Sequence, residues 1–367
     1  MSSPKIVFCA GEASGDAYAA ELAREIKALR PDVELLGIGG ALSEKAGVRL
    51  LANSSKWGAM GIAQASLAFL RVYFGTRGIQ RLLGSQPAAI FIPIDFGFAN
   101  VRLARRAKEH GWKVLYFMPP GSWRRDRQGK DLGAVTDQVV TPFDWSEALL
   151  KQAGVNVEWF GHPLKQILKD RRASETRGET IAVLPGSRTH EVHENLSILA
   201  KSVGDLKAPF EFAIAPTVDV GEVGRRWKAA TGRNDGFTVG DTRGVLLRAR
   251  AGLICSGTAT LEAALCGCPM VVFYELTKIM LFETKLLRIK RPKFIALPNV
   301  ILDRMVVPEH AEKTGVKPAD LRADFEKILI DGPDRDAQLA AFEEISTALG
   351  GEDAITRTAE LAVRMVS

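Results

Sequence analysis

Two short stretches in the second half of the chain carry residue types that could hold a phosphorylated ligand. Near Ser256 an apolar run (Gly252, Leu253, Ile254) breaks into Ser256-Gly257-Thr258, then resumes with Leu261, Ala264 and Leu265 at helical spacing. A Ser-Gly-Thr turn at a helix start offers backbone N–H groups and hydroxyls, which suit a phosphate. Glu262 falls about one turn into that helix, within reach of a ribose diol. Upstream, LPGSR (Leu184 to Arg188) has the same form. Pro185 and Gly186 shape its turn, Ser187 can cap a helix, and Arg188 is suited to bidentate contact with a diphosphate. A capped helix with an exposed glutamate would explain either stretch alone; two of a kind favour a ligand.

A second set of candidates is acidic and lies in the first half. GEASGD (Gly11 to Asp16) follows the apolar run KIVFCA, and Asp95 ends the run AAIFIPI. GEASGD is not a dinucleotide fingerprint, and Glu12 would repel a pyrophosphate, so the loop suits a hydroxyl-bearing substrate better. Ser14 and Asp16 are candidate helix caps. GIGG (Gly37 to Gly40) forms another loop at the same edge, or a plain tight turn.

Residues so placed need strands that end beside one another. Lys5 to Ala10, Val33 to Gly37, Ala88 to Ile94, Lys113 to Phe117 and Asp137 to Thr141 read as buried parallel strands alternating with helices, the first from Gly15 to Leu29. Asn100 opens a basic helix. The polar run from Lys169 to Thr180 marks a boundary. Beyond it, strands at Thr180 to Leu184, Phe210 to Ile214, Gly236 to Val239, Gly252 to Cys255 and Pro269 to Phe273 form a second sheet. Lys317 to Ser367 reads as three amphipathic helices. The predicted domains are 1–172 and 178–345, with a last helix (about 352–367) packing back on the first. Ligands of such doubly wound folds sit beyond the carboxyl ends of the strands.

Composition narrows the function classes. The 367 residues are 46% hydrophobic, enough for two cores. A formal net charge of +6 favours an anionic partner. Basic residues interleaved with aromatic stacking platforms are lacking, which excludes a nucleic-acid binder. Cys9, Cys255, Cys266 and Cys268 lie in apolar stretches without metal-type spacing, as expected of a reduced cytosolic protein. His190 and His193 lie one turn apart but lack further ligands, so no metal and no cofactor is expected. The N-terminus leads straight into a strand, so no signal peptide is expected. No run reaches the roughly 18 apolar residues of a spanning helix. Between Trp57 and Leu83, however, Met60, Ile62, Leu67, Phe69, Leu70, Val72, Tyr73 and Phe74 crowd together, followed by Arg77 and Arg81. Such a segment suits a bilayer surface; a helix buried between neighbours is the alternative. The basic loop with Arg124, Arg125, Arg127 and Lys130, and the patch from Lys285 to Lys293, suit phosphate or plain solvation equally.

Two Rossmann-like domains, the second with phosphate-suited turns, describe a GT-B glycosyltransferase: α/β, two doubly wound parallel sheets facing a cleft. Along nearly its whole length the chain resembles the lipid-A-disaccharide synthase family. The match rests on GEASGD, GIGG, AMG (Ala59 to Gly61), Ile94-Asp95, Asn100, Pro142-Phe143 and GHPL (Gly161 to Leu164) in the first half. In the second it rests on LPGSR with Glu191, SGTATLEAAL (Ser256 to Leu265), PMVV (Pro269 to Val272), LPN (Leu297 to Asn299) and VPE (Val307 to Glu309). The resemblance implies transfer of a diacylglucosamine from a UDP-sugar to diacylglucosamine 1-phosphate at the membrane, with inversion and without a dissociable metal. It implies donor contacts at Arg188, Ser256, Thr258 and Glu262, and the same motifs extend the candidate set to Gly186, Ser187, Gly257, Asn299 and Glu309. Met60, Leu67, Phe69, Leu70, Tyr73 and Phe74 become the lipid-facing surface. The expected partners are a UDP-sugar, a lipid-linked or acylated sugar acceptor and an anionic membrane surface. The expected location is peripheral, on the inner face of the cytoplasmic membrane; a monomer and a homodimer both fit.

The acceptor half departs from the family pattern. After Ile94-Asp95 the family has Pro-Asp-Phe-Asn, whose Asp is the expected base; here Gly97 replaces the Pro and Phe98 the Asp. PFE becomes PFD at Asp144, a Gln after PE becomes Glu312, and the Trp-rich loop is reduced to Trp123 among arginines. A substitute base is therefore expected at Asp95 or Asp16, with Glu12 positioning acceptor hydroxyls. The competing readings are a nucleotide-sugar-binding homologue that has lost catalysis and a GT-B epimerase acting on UDP-N-acetylglucosamine; the apolar segment near Phe69 counts against the epimerase.

Overall fold

In a computed structural model of the chain, residues 3–55, 57, 72–85, 89–126, 131–169, 177–275, 293–311 and 315–366 are described. The chain divides into two compact units, Met1–Ile167 with Leu349–Ser367, and Leu168–Ala348.

The first unit is built on a seven-stranded parallel sheet in the order β3-β2-β1-β4-β5-β6-β7. Its strands are β1 (Lys5–Ala10), β2 (Glu34–Gly39), β3 (Arg49–Asn53), β4 (Ile90–Ile94), β5 (Lys113–Phe117), β6 (Gln138–Thr141) and β7 (Val157–Trp159). The central strands are apolar along their length because helices cover both faces. Every residue of β4 is buried, whereas β3, at the edge, has exposed ends. The helix Ala13–Leu29 buries Tyr18, Ala19, Leu22, Ala23 and Ile26, a 3.6-residue stripe. The terminal helix Ala354–Val366 packs against it, and Gln166 anchors that helix through Ile355 N at 2.7 Å.

The second unit carries a six-stranded parallel sheet in the order β10-β9-β8-β11-β12-β13. Its strands are β8 (Ile181–Leu184), β9 (Phe210–Ile214), β10 (Gly236–Val239), β11 (Ala251–Cys255), β12 (Met270–Phe273) and β13 (Glu309–His310). Phe210 and Phe212 pack edge-on against Trp227, at ring-centroid distances of 5.8 and 4.9 Å. Arg335 is buried yet satisfied, donating to Arg250 O at 2.9 Å and Ile328 O at 3.0 Å.

Strand order fixes where each unit can bind. In the first, the chain leaves β1 towards β2 and returns to start β4 on β1's other side. In the second, β8 leads to β9 and the chain returns to start β11 beside β8. The carboxyl ends of β1/β4 and β8/β11 are thus topological switch points, where the flanking loops diverge and leave a crevice.

Candidate functional site

The β8/β11 switch point brings both phosphate-suited turns together. β8 and β11 pair with Leu184 beside Ile254, so LPGSR and Ser256-Gly257-Thr258 leave the sheet as neighbours. Asn195 ties them, its amide donating to Pro185 O at 2.7 Å and to Cys255 Sγ at 3.4 Å. Helix Thr189–Val203 follows the first turn and helix Thr258–Leu265 the second. The N-cap of the second helix is Gly257, which has no side chain to cap it, and among the described residues a Cβ there would meet nothing within 4 Å, so that helix start suits an anion. Thr258 is exposed there.

Arg188 is held rather than loose. Its Nη1 lies 3.2 Å from Glu191 Oε1, and the other oxygen of that buried carboxylate accepts the Ser187 N–H at 3.3 Å. Tyr274, at the end of β12, donates its hydroxyl to Glu191 Oε1 at 3.4 Å. Glu191 therefore takes up one N–H of the LPGSR turn and orients the guanidinium. Glu262 is half-buried, and burial pushes its carboxyl above the ordinary range, partly offset by Arg243.

Three expected donor contacts stand differently in the structure. The Ser256 hydroxyl donates to Ile295 O at 2.7 Å, so its proton supports the neighbouring loop instead of facing a phosphate. Asn299 is fully buried, and both ends of its amide are occupied. Nδ2 donates to Val307 O at 2.9 Å and Glu309 Oε2 at 3.0 Å, while Oδ1 accepts from Val306 N at 2.7 Å and Val307 N at 3.0 Å. Glu309 also accepts from Ile295 N at 3.1 Å and Ala296 N at 2.9 Å. Asn299 and Glu309 thus build the loop that receives Ser256, with their polar atoms engaged inside the protein.

At the β1/β4 switch point the acidic candidates separate into different roles. Glu12 is the N-cap residue of helix Ala13–Leu29, makes no side-chain cap and is exposed. Helix Ala13–Leu29 is therefore not capped by Ser14 or Asp16. Asp16 is buried, and its carboxylate accepts from Gly40 N at 2.7 Å, Ser43 N at 3.0 Å, Leu42 N at 3.1 Å and the Ser43 hydroxyl. It fastens GEASGD to the GIGG loop and caps helix Ala41–Lys45 from outside. Three of these donors fall on Oδ1 and one on Oδ2, an engagement that favours a structural anchor over a base. Asp95 differs: burial, then the nearby charge of Glu12, raises its carboxyl to about 6. At neutral pH it is ionised yet more basic than an ordinary aspartate, as a general base should be.

Sequence reasoning missed the partners of these residues. Tyr116 looked like one more apolar residue of β5, yet its hydroxyl donates to Asp95 O at 2.8 Å. Tyr274 gave no signal either, and Glu191 stood out only as part of a motif.

Other expected surfaces fall partly outside the described residues. Met60, Leu67, Phe69, Leu70, Arg127, Lys130 and the stretch from Lys285 to Arg291 lie there. Of the apolar segment's described end, Ile79 and Leu83 are core, while Tyr73 and Phe74 are 42% and 54% exposed. Arg77 lies over both rings, 5.3 and 4.5 Å from their centroids. Arg124 pairs with Asp126 at 2.9 Å, Arg125 stacks on Trp145 at 4.0 Å, and Lys293 pairs with Asp303 at 2.9 Å. Among the described residues no helix is long and apolar enough to cross a membrane.

Comparison with known proteins bears on the family and the fold. The family model described as lipid-A-disaccharide synthetase matches residues 6–357. The lipid-A-disaccharide synthase of Myxococcus xanthus is 29% identical, covering 99% of this chain and 98% of its own. That of Anaeromyxobacter dehalogenans is 31% identical over 97% of this chain and 96% of its own. Among solved structures, the MurG of Acinetobacter baumannii aligns at a TM-score of 0.56 with 13% identity, covering 99% of this chain and 100% of its own. A putative UDP-N-acetylglucosamine 2-epimerase of Listeria monocytogenes aligns at 0.65 with 12% identity, covering 99% and 96%. The UGT2 of Phytolacca americana, solved with UDP-2fluoro-glucose and pterostilbene, aligns at 0.60 with 12% identity and 99% coverage of each. At such identities these structures show the fold alone, which is that of the GT-B glycosyltransferases. Transferase and epimerase both align well, so it is the sequence match over the whole chain that separates them.

Proposed function

From the premise that the chain belongs to the lipid-A-disaccharide synthase family, glycosyltransferases of lipid A synthesis, we propose that it transfers an acylated glucosamine from a UDP-sugar to diacylglucosamine 1-phosphate. The observation that supports this reading is the pairing of β8 with β11, from which the turn carrying Arg188 and the helix start at Gly257-Thr258 leave the sheet as neighbours at the second unit's switch point. Arg188 and the N–H groups at Thr258 take the diphosphate, with Gly186 and Ser187 shaping that side, and Glu262 takes the ribose hydroxyls. Asp95 receives the proton of the acceptor hydroxyl as that oxygen bonds to the anomeric carbon, while Glu12 positions acceptor hydroxyls. The bond from that carbon to the diphosphate breaks, and UDP leaves with its charge stabilised by Arg188 and the helix start. A single displacement opposite the leaving group inverts the anomeric centre.

The test is UDP release with diacylglucosamine 1-phosphate as acceptor, run beside an acceptor-free control. Release that depends on the acceptor and yields the disaccharide is expected. UDP-sugar binding without turnover on that acceptor would instead favour a nucleotide-sugar-binding homologue, the reading that Phe98 supports by carrying no carboxyl. On the donor side, loss of a charge-assisted contact of roughly 1.5–3 kcal/mol is expected to weaken UDP about ten- to a hundredfold in Arg188→Ala. Calorimetry that finds unchanged UDP affinity in both Arg188→Ala and Glu262→Ala would remove the donor assignment.

We further infer peripheral binding to an anionic membrane, supported by the exposed Tyr73 and Phe74 with Arg77 over their rings. Replacing both aromatics with Asp is expected to release the protein from anionic vesicles in a sedimentation assay with its thermal unfolding little changed. Unfolding of that double variant would make these side chains part of the core.

A further inference from the structure

The chain does something unusual where it leaves β4. Pro93, within the strand, has no N–H to donate, and the register to β5 runs through Ile90, Phe91 and Ile94 without it. Asp95, Phe96 and Gly97 then follow with φ of 46°, 53° and 27°, three consecutive left-handed residues, two of them bearing side chains. Such a turn is strained and persists only where its surroundings over-determine it.

The surroundings do so from three sides. Asn100, fully buried in the next helical turn, holds Nδ2 3.0 Å from Cys9 O, 3.1 Å from Ile94 O and 2.9 Å from Asp95 O, its two N–H groups shared among the three carbonyls, tying β1, β4 and the turn to one amide. Tyr116 donates its hydroxyl to the same Asp95 carbonyl at 2.8 Å. Burial pushes the Tyr116 phenol well above its ordinary range, so it remains a donor at every working pH. The Phe96 ring closes over Gly11, where a Cβ would lie 2.1 Å from Cγ of the ring, and rests 5.9 Å from the buried Trp57 ring. The GEASGD loop and the Asp95 turn are thereby locked to each other.

We propose that Asn100 and Tyr116 are positioning residues that clamp the Asp95 carbonyl and so fix the Asp95 carboxyl at the β1/β4 crevice, in a backbone shape that Gly97 permits and a proline would forbid. This rests on Asp95 being the base. Proline fixes φ near −65°, so a proline at position 97 could not adopt the +27° found here.

The experiment is a double-mutant cycle on acceptor-dependent UDP release with the full chain. Tyr116→Phe is expected to lower kcat about tenfold with UDP affinity unchanged, and to cost nothing further in the Asp95→Asn background. Gly97→Pro is the second variant: it leaves the donor unit untouched and is expected to lower kcat at least tenfold, again only when Asp95 is present. An equal fall in both backgrounds would overturn the proposal, because the clamp would then act independently of Asp95. No fall in Tyr116→Phe and Gly97→Pro beside a crippled Asp95→Asn would overturn it while leaving the base in place. Full activity of Asp95→Asn would overturn the base assignment itself and the clamp with it.

Discussion

Asp95→Asn is expected to lower kcat by about 10²–10⁴-fold while UDP still binds, because a positioned base contributes that much to a transfer whose nucleophile must lose a proton. The same substitution is expected to stabilise the protein at pH 8. The carboxyl titrates at about 6 in the folded chain, above the ordinary aspartate value. The folded state therefore keeps this proton over a range where the unfolded state has lost it. Stability from this group is fully present below about pH 4 and lost as the pH rises through about 6. Above that, an ionised Asp95 held largely out of water beside Glu12 costs about 2 kcal/mol, from roughly two units at 1.36 kcal/mol each with a discount for partial exposure. Asparagine carries no such cost. Thermal unfolding at pH 8 and pH 4 reads this directly: Tm should rise in the variant at pH 8 and change little at pH 4. A variant that is inactive and also less stable at pH 8 would mean that Asp95 is a structural carboxylate. The kcat/KM profile of the wild type should fall below about pH 6 for the same reason.

Asp16→Ala is expected to act in the opposite way, through the fold. Gly40 N, Leu42 N, Ser43 N and the Ser43 hydroxyl all donate to this one carboxylate. Buried donors left without an acceptor cost about 1–3 kcal/mol each, and water can reach only some of them, so a loss of about 3–4 kcal/mol is expected. In a unit of this size that lowers Tm by roughly 6–16 °C. Activity per folded molecule, measured well below the new Tm, should stay within about threefold. A hundredfold fall in kcat with Tm unchanged would restore Asp16 as a candidate base. The two aspartates thus make a pair of opposite signatures, one losing turnover and gaining stability, the other losing stability and keeping turnover.

Much of this protein is written locally. Apolar runs such as Ile6 to Cys9, Ile90 to Ile94 and Ile181 to Leu184 specify parallel strands buried on both faces, because only residues that meet helices on either side can be apolar throughout. Turn chemistry at LPGSR and Ser256-Gly257-Thr258 follows each strand directly, so the anion-suited helix starts are legible from spacing alone. The motif order along the chain likewise points to the family. What spacing cannot show is which polar groups meet across strands. Asp16 and Asp95 are the same residue type, each at the carboxyl edge of the same sheet. Only tertiary structure places four donors around the first and withdraws solvent from the second. Asn299 and Ser256 have the residue types of ligand contacts, yet loops brought together by the fold had already taken up their hydrogen bonds. Tyr116 acquires its role because β5 pairs with β4, which sets its hydroxyl under the Asp95 carbonyl. Sequence periodicity decides what is buried, since burial follows from the local pattern. Satisfaction of buried polar groups is a long-range matter, and it sets Asp16 and Asp95 in different surroundings.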